Sequence, residues 1–227
     1  VDVNNDGQDE HIFAGEDGKW NTSDDFYEDV VGGRDVIVFP GETGDPDDPY
    51  DFGTPVDHYE FVIGGETVTV YVGDDTQAGT DDDWFEYGVP KPGTEVDDDG
   101  NPVAPVEDVT VTVDVGEDGV PGTSDDTYEL DADMDGEDEL VHVGPDGVPG
   151  TSDDYYDEDK NGNGDPERVE AGDDGIFGTP DDFYEDIVNT PDGTQEKVPV
   201  YAGEDGVHSP ANDPDNDDWY PWDTNED

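Results

Sequence analysis

The chain has 227 residues, of which 69 are Asp or Glu and only 6 are Lys or Arg, so its formal net charge is −63 at pH 7. A field of this sign excludes nucleic acid as a partner, because the phosphate backbone is also negative. A compact chain with this charge repels itself, and we therefore expect cations to be part of the folded state. The chain has no cysteine, so disulfides cannot hold small units together and metal ions are the alternative.

The composition indicates a fold class only indirectly. Hydrophobic residues make up 29% of the chain, a share that is typical of disordered sequences. However, 10% of the residues are aromatic, apolar residues lie in short alternating runs, and the acids recur at fixed spacings. Helical periodicity is absent, and 30 glycines with 18 prolines would interrupt most helices. The sequence therefore predicts an all-β fold.

The predicted strands are short, and most of them lead into an acidic loop. The clearest is a hairpin in which alternating runs at 59–63 and 66–71 are joined by Gly64 and Gly65, a pair that accepts the positive φ of a tight turn. The other predicted strands are, in chain order, 35–39, 109–113, 139–143, 168–171 and 197–202.

One sequence motif, which we call the paired-acid loop, recurs along the chain. An apolar strand runs into Gly-x-Asp-Gly, then Gly-Thr, then two acids followed by an aromatic residue. Self-similarity at a period of a few tens of residues predicts stacked units that bury little alone. We therefore expect an elongated tandem array of small calcium-stapled β repeats of about 28–32 residues. The copies begin at Gly15, Gly73, Gly116, Gly144, Gly172 and Gly203. One more copy begins at Gly41 and is interrupted by an insertion.

The acids of the paired-acid loop have the spacing of calcium ligands. Calcium takes six to eight oxygen ligands at about 2.3–2.6 Å, which the carboxylates and inward-turned carbonyls of a tight loop can supply. In the copy at Gly116 the carboxylates are Asp118, Asp125 and Asp126, and glycines allow the backbone to curl around them. The equivalent candidates in the other copies are Asp17, Asp24, Asp25, Asp75, Asp82, Asp146, Asp153, Asp154, Asp174, Asp181, Asp182, Asp205 and Asp217.

The paired-acid loop resembles the calcium loop of the major pseudopilin of type II secretion systems, in which a strand also ends in Gly-x-Asp-Gly and an acidic pair closes the site. The resemblance covers about a dozen residues per copy and does not extend to the long amino-terminal helix of that family. The copy at Gly73 departs from the pattern with Thr76 in place of the second glycine, and the copy at Gly203 carries an insertion. The ligands that the resemblance implies are Asp118 with Asp125, Asp146 with Asp153, Asp174 with Asp181, and Asp17 with Asp24.

A second motif, which we call the alternating-acid loop, lies between copies of the first. Its copies are Asp2-x-Asn4-x-Asp6-Gly7-x-x-Glu10, Asp131-x-Asp133-x-Asp135-Gly136-x-x-Glu139 and Asp157-x-Asp159-x-Asn161-Gly162-x-x-Asp165, with a weaker one at 95–103. The motif resembles the short calcium loops of dockerin modules and thrombospondin type 3 repeats, which implies that positions one, three, five and nine direct oxygens at one ion. The EF-hand itself is not matched, because His142 or Arg168 stands where its twelfth-position glutamate would be.

Both motifs together predict Ca²⁺ as the cofactor, with about six to ten ions per chain. No constellation of residues indicates an enzyme, because the serines are scattered, the four histidines have no spacing that pairs them, and cysteine is absent. The aromatic residues that follow the acid pairs have two interpretations. They are either one core anchor per repeat, which we favour, or a platform that stacks on sugars.

The chain divides, by its composition, into an irregular first part with insertions and a hairpin (1–90), a Pro- and Gly-rich linker (91–106) and a region of regular repeats (107–227). Its two ends complement each other. The acids and aromatic residues at 217–223 would lead into the alternating-acid loop that opens the chain, as 125–128 leads into the loop at Asp131. This predicts either a segment of a longer tandem polypeptide or subunits that join head to tail, a contact that does not close and so gives a fibre.

The favoured hypothesis is an extracellular structural protein, the calcium-stabilised subunit of a head-to-tail filament or surface fibre whose partners are other copies of itself. The alternative is an adhesin stalk or carbohydrate-binding module that meets a cell surface or polysaccharide through the aromatic residues. A third hypothesis is a salt-adapted soluble protein whose acids only hold hydrated cations. We expect no membrane insertion, because no run approaches the roughly 18 apolar residues that span a bilayer. Since the chain starts at Val1, it is interpreted as a processed, secreted protein or an excerpt of a longer one.

Overall fold

The computed structural model describes residues 2, 4, 7, 8, 10–42, 52–93, 106–160, 162, 164–189, 195–203, 206, 208 and 218, without the side chains of 188 and 189. Most of the two chain ends, most of the insertion in the Gly41 loop and most of the predicted linker lie outside these residues. So do four of the predicted ligands, which are Asp6, Asn161, Asp205 and Asp217.

Twelve strands form one antiparallel sheet in which the strand order follows the sequence. The described residues include no helix, which confirms the all-β prediction, and none of their elements is long and apolar enough to cross a membrane as a helix. The strands are β1 (Tyr27–Val31), β2 (Arg34–Phe39), β3 (His58–Ile63), β4 (Glu66–Tyr71), β5 (Trp84–Pro90), β6 (Asp108–Asp114), β7 (Thr127–Leu130), β8 (Glu139–His142), β9 (Tyr155–Glu158), β10 (Glu167–Glu170), β11 (Phe183–Asn189) and β12 (Gln195–Tyr201).

The strands form where β-branched or aromatic residues alternate with polar ones, because successive side chains point to opposite faces of a sheet. In β4, for example, Val68 and Val70 are buried while Thr67 and Thr69 are exposed. The predicted hairpin is present as β3 and β4, and its two turn glycines both have positive φ.

The core is a set of rows that cross the sheet. Each strand that leaves a paired-acid loop contributes a buried aromatic residue, and each strand that enters one contributes a valine, so large and small side chains alternate along a row. Among the described residues, the aromatic residue two places after the buried acid of each loop therefore belongs to the core. One row runs Tyr27, Val38, Tyr59, Val70, Phe85 and another runs Val141, Tyr156, Val169, Tyr184, Val200.

The chain divides into two compact units that interleave along the sequence. The first comprises Val1–Tyr87, Thr112–Thr127 and Asp146–Val148, and the second comprises Gly88–Val111, Tyr128–Pro145 and Pro149–Asp227.

Successive paired-acid loops of the first unit meet through glycine. Gly119, in the loop at Gly116, has a φ of 67° and lies so close to the carbonyl oxygen of Gly79 in the preceding loop that a Cβ would not fit. Gly147, in the next loop, has a φ of 71° and lies against Gly122 in the same way. The loops at Gly116 and Gly144 therefore each contact the preceding loop main chain to main chain, at a position where a side chain would not fit.

Candidate metal-binding loops

The two members of each acid pair have different environments. In the loop at Gly116 the second member, Asp126, is fully buried. Its Oδ1 accepts a hydrogen bond from the backbone N–H of Gly116 at 3.2 Å, and its Oδ2 accepts one from Gly122 at 2.7 Å. One carboxylate thus ties the beginning of the loop to its middle, and satisfies buried N–H groups that would otherwise have no partner.

A backbone N–H from the middle of the loop donates to the buried acid in every other paired-acid loop whose buried acid is described. The bond from the beginning of the loop is also present in the copies at Gly144 and Gly41, and in the latter a single acid, Asp57, follows Val56. The donors and distances are Asn21 N to Asp25 at 2.8 Å, Gly41 N and Gly53 N to Asp57 at 3.2 and 2.8 Å, Gly79 N to Asp83 at 2.8 Å, Gly144 N and Gly150 N to Asp154 at 2.9 and 2.7 Å, and Gly178 N to Asp182 at 2.6 Å.

Burial dominates the electrostatics of these second acids. Desolvation raises the pKa of Asp83 to about 7 and that of Asp126 and of Asp154 to about 6, although the N–H donors lower each value. The pKa of Asp182 is raised well above its usual value for the same reason. These carboxylates are therefore expensive to ionise in the folded chain.

A tyrosine from the preceding repeat completes two of these sites. The hydroxyl of Tyr59 donates to Asp83 at 2.7 Å, and that of Tyr128 donates to Asp154 at 2.8 Å. All four side chains are buried. Phe85 holds the corresponding position before Asp126 and has no hydroxyl, so that site lacks this bond.

The first member of each pair faces outward and lies close to the aspartate near the beginning of the loop. In the copy at Gly116, Asp125 accepts hydrogen bonds from the backbone N–H of Asp118 at 3.0 Å and from the hydroxyl of Thr123 at 2.6 Å. The hydroxyl of Thr123 also lies 3.4 Å from the carboxylate of Asp118. The hydrogen bond from Thr123 is the largest cause of the lowered pKa of Asp125. Two exposed carboxylates therefore converge on one hydroxyl.

In four other loops the hydroxyl of the equivalent threonine donates to the first acid of the pair. In the loops at Gly73 and Gly172 the same hydroxyl also lies 3.3 and 3.4 Å from the carboxylate of the acid that begins the loop. In the loop at Gly73, Thr76 adopts a φ of 65°, so it keeps the backbone shape that glycine gives elsewhere. The threonines and the first acids they contact are Thr22 with Asp24, Thr80 with Asp82, Thr151 with Asp153, and Thr179 with Asp181. The backbone N–H groups of Asp17, Asp75 and Asp174 also donate to the first acids of their loops.

The alternating-acid loop at 131–139 gathers three carboxylates. Ligand atoms of Asp131, Asp133 and Glu139 all lie within 4.8 Å of one another, and this is the only group of three acidic, His or Cys side chains with such geometry among the described residues. Backbone N–H groups orient the outer two, because Gly136 donates to Asp131 at 3.2 Å and Ala132 donates to Glu139 at 2.8 Å. The fourth predicted ligand, Asp135, instead accepts the N–H of Glu137 and is not part of the group.

The third alternating-acid loop has a different register from the one expected. The N–H of Gly164 donates to Asp159 at 2.8 Å and the N–H of Lys160 donates to Glu167 at 3.1 Å. Gly164 has the same φ, 94°, as Gly136. Asp159, Gly164 and Glu167 therefore correspond to Asp131, Gly136 and Glu139, each 28 residues later. The aligned motif is Asp159-x-Asn161-x-Asn163-Gly164-x-x-Glu167.

This register moves two of the predicted ligands out of the loop's ligand positions. Asp157 is an exposed residue of β9, and Asp165 is an exposed residue between Gly164 and Glu167. Glu167 was not among the sequence candidates. The 28-residue spacing of the paired-acid loops on either side was the signal that would have identified it.

The first alternating-acid loop is described only in part. Asn4 is buried, and its amide donates to a carboxylate oxygen of Asp29 at 3.4 Å. Gly7 has a φ of 89°, close to that of Gly136. Asp2 is exposed, and Glu10 is half-buried.

Lys160 places a cation at the alternating-acid loop that precedes its own. Its Nζ lies 2.8 Å from Oδ2 of Asp133 and also forms an ion pair with Glu158, and its side chain is only 5% exposed. Burial lowers the pKa of Lys160, but the hydrogen bonds to Asp133 and Glu158 outweigh it, so that the pKa is raised overall. The ammonium is therefore charged in the folded protein.

A row of half-exposed rings lies on the opposite face of the sheet from the core. Neighbouring centroids in this row are 4.4–6.3 Å apart. Phe13 and Phe26 are stacked with 16° between their planes, and Tyr71 and Trp84 with 21°. In these two stacked pairs each ring covers a face of its partner, and a ring face is the surface on which a sugar would stack. The members of the row are Phe13, Phe26, Phe39, His58, Tyr71 and Trp84.

Comparison of the chain with protein-family models, with curated proteins and with solved structures gives no match.

Proposed function

We propose that this chain is an extracellular structural protein whose acidic loops bind calcium and are stabilised by it. The observation that carries the proposal is the convergence of Asp131, Asp133 and Glu139 on one point. Three carboxylates at such separations repel one another, and a divalent cation between them removes that repulsion. Binding of the ion at such a loop would add to the stability of the folded state.

The ligand chemistry favours calcium over transition metals. All three side chains of the group offer hard carboxylate oxygens, and neither His nor Cys is part of it. Such sets suit Ca²⁺, Mg²⁺ or Mn²⁺, and a flexible loop without octahedral constraint suits Ca²⁺ best. Extracellular calcium modules bind at roughly 10⁻⁴–10⁻³ M, so they are filled outside cells and empty at cytosolic calcium.

A structural role is favoured over ligand recognition. The described polar groups of the loops hold turns and neighbouring repeats together, and the outer aromatic rings stack on one another. The filament subunit predicted from the sequence is one form of such a role. Electron microscopy with and without chelator tests it, and particles that stay monomeric in millimolar calcium would exclude a filament.

Calorimetric titration of chelated protein with CaCl₂ tests the proposal at a defined loop. D131N removes one carboxylate from the group, so it should eliminate or strongly weaken one site. D157N is the matched control, because Asp157 has the same chemistry but lies on the exposed face of β9; its titration should equal that of the unaltered chain. A chain that binds no calcium, or a D131N titration identical to that of D157N, would refute calcium binding at this loop.

A further inference from the structure

The three alternating-acid loops differ at three positions that vary together. In the first loop, the third position is Asn4, and the residues 25 and 27 places later are Asp29 and Val31. In the third loop, aligned from Asp159, the same positions are again Asn, Asp and Val, at 161, 186 and 188. Only the middle loop carries Asp133, Glu158 and Lys160. Lysine thus occurs where a carboxylate replaces the asparagine.

The structure gives the physical reason for this pattern. In the first loop the amide of Asn4 donates to the carboxylate of Asp29, at 3.4 Å, and the buried side chain of Val31 stands where the middle loop has Lys160. The amide is neutral, so this pair carries one negative charge, whereas the pair in the middle loop carries two.

In the middle loop two carboxylates occupy the places of that amide and its acceptor. Asp133 and Glu158 can only accept, so they cannot bond to each other and they repel. The Nζ of Lys160 lies between them, 2.8 Å from Asp133 and 5.5 Å from the ring centroid of Tyr156, in a buried position. A charge-assisted hydrogen bond of this kind is stronger than a neutral one.

Asp133, which forms the ion pair with Lys160, is also one of the three carboxylates of the candidate calcium site. We infer that Lys160 is a built-in cation that keeps the loop at 131–139 ordered without metal and lowers its affinity for calcium. This rests on the proposed function, since it assumes that the loop binds Ca²⁺. The ammonium acts in two ways: it neutralises part of the charge that would attract the ion, and it repels the ion directly. Calcium therefore fills this loop only at higher concentrations than the carboxylates alone would require.

The test is K160M, which keeps the length of the side chain and removes its charge. K197M is the matched control, because Lys197 also pairs with a glutamate, Glu185, but is 67% exposed. Both variants change the net charge equally. Thermal unfolding is measured in chelator and in millimolar calcium, and calcium affinity is measured by calorimetry with and without the additional change D131N.

K160M should melt below the unaltered chain in chelator and recover most of the difference in calcium. Its calcium affinity at the site that D131N removes should rise about tenfold, whereas K197M should change it less than twofold. K160R, which keeps the charge, should resemble the unaltered chain. E158Q combined with K160M should restore part of the stability in chelator, because it removes one of the two facing charges.

If K160M loses the same melting temperature in both media and its affinity is unchanged while the unaltered chain binds calcium at this loop, Lys160 is only a structural ion pair and the inference is wrong. A K160M chain that folds in neither medium also overturns it, whereas one that folds only in calcium supports it. If the unaltered chain itself binds no calcium, the proposed function fails first and this inference fails with it.

Discussion

The paired-acid loops and the alternating-acid loops are equally acidic, yet their carboxylates have different partners. In a paired-acid loop, the buried acid, for example Asp154, receives N–H and O–H donors on both oxygens. In the alternating-acid loop at 131–139 the carboxylates also have donors, but three of them lie within 4.8 Å of one another. An Asp-rich repeat is therefore not equivalent to a row of ion sites, because the backbone can supply the positive partners itself.

Removing a buried acid of a paired-acid loop should have the largest effect. D154A leaves the N–H groups of Gly144 and Gly150 and the hydroxyl of Tyr128 without their acceptor, so we expect a loss of about 3 kcal/mol or more in the free energy of unfolding. The loss should be the same in calcium and in chelator when measured by urea unfolding.

D146A is the control for that experiment, because Asp146 belongs to the same loop but lies on its exposed side. It should have little effect in chelator. If calcium rescued D154A, the buried acid would be an ion ligand and the distinction between the two kinds of loop would fail.

Chelation should separate the two kinds of loop within one molecule. Removing calcium restores the repulsion among Asp131, Asp133 and Glu139, so the amides of Ala132 and Gly136 should exchange hydrogen on the order of tenfold faster. The amides of Gly122 and Gly150 should change much less, since their acceptors need no ion. Hydrogen exchange read by NMR measures both sets together, and equal acceleration of both would contradict the comparison.

Acidification should stabilise the calcium-free chain. In the folded state the pKa is about 7 for Asp83 and about 6 for Asp126 and Asp154, whereas an unfolded Asp titrates near 3.9. As the pH falls from 8 towards 5, the folded chain takes up protons that the unfolded chain does not, so the free energy of unfolding rises. The gain ends below about pH 4, where both states are protonated.

Melting temperatures in chelator at pH 8 and pH 5.5 test this sign. The rise should be smaller in D154N, which lacks one of the acids whose pKa is raised by folding. A melting temperature that is flat or falls with acidification would show that the buried acids are not held in a desolvated state.

Restoring a missing hydroxyl should have the smallest effect. F85Y places a phenol where Tyr59 and Tyr128 have theirs, so it should donate to Asp126 and stabilise the fold by about 1 kcal/mol. Y128F is the reciprocal change and should cost about the same amount. Urea unfolding measures both, and a destabilised F85Y would mean that the core beside Asp126 has no room for the oxygen.

The strands that enter the loops were predictable, whereas among those that leave them only β3, which forms the hairpin with β4, was predicted. Entering strands such as β4 alternate Val with Thr, which is a strong period-two signal. Strands that leave a loop, such as β1 and β9, have acids at their exposed positions and follow directly after an acid pair. Their sequence therefore looks like a continuation of the acidic loop, and the alternation of a strand is hidden. The roles within each acid pair could have been separated by the same period. Asp126 and the buried Tyr128 are two residues apart and therefore share the inner face, whereas Asp125 does not.

The register of the third alternating-acid loop shows a different limit. Asp157, Asp159 and Asn161 offer two overlapping frames with the same local spacing. Only the 28-residue spacing, or the hydrogen bond from Lys160 N–H to Glu167, selects between them. The ion pair between Lys160 and Asp133 was beyond local reasoning altogether, because it joins residues of two different loops.

The glycine contacts between successive paired-acid loops bear on how such a chain can change in length. Gly119 lies against Gly79 as Gly147 lies against Gly122, so these junctions are interchangeable. Excision of residues 116–143 in one piece would bring Gly147 to Gly79 and recreate the same main-chain contact. Gain or loss of DNA in steps of 84 nucleotides, three per residue over 28 residues, therefore conserves the glycine contact between successive paired-acid loops. Insertions of other lengths must lie away from the residues that form this contact.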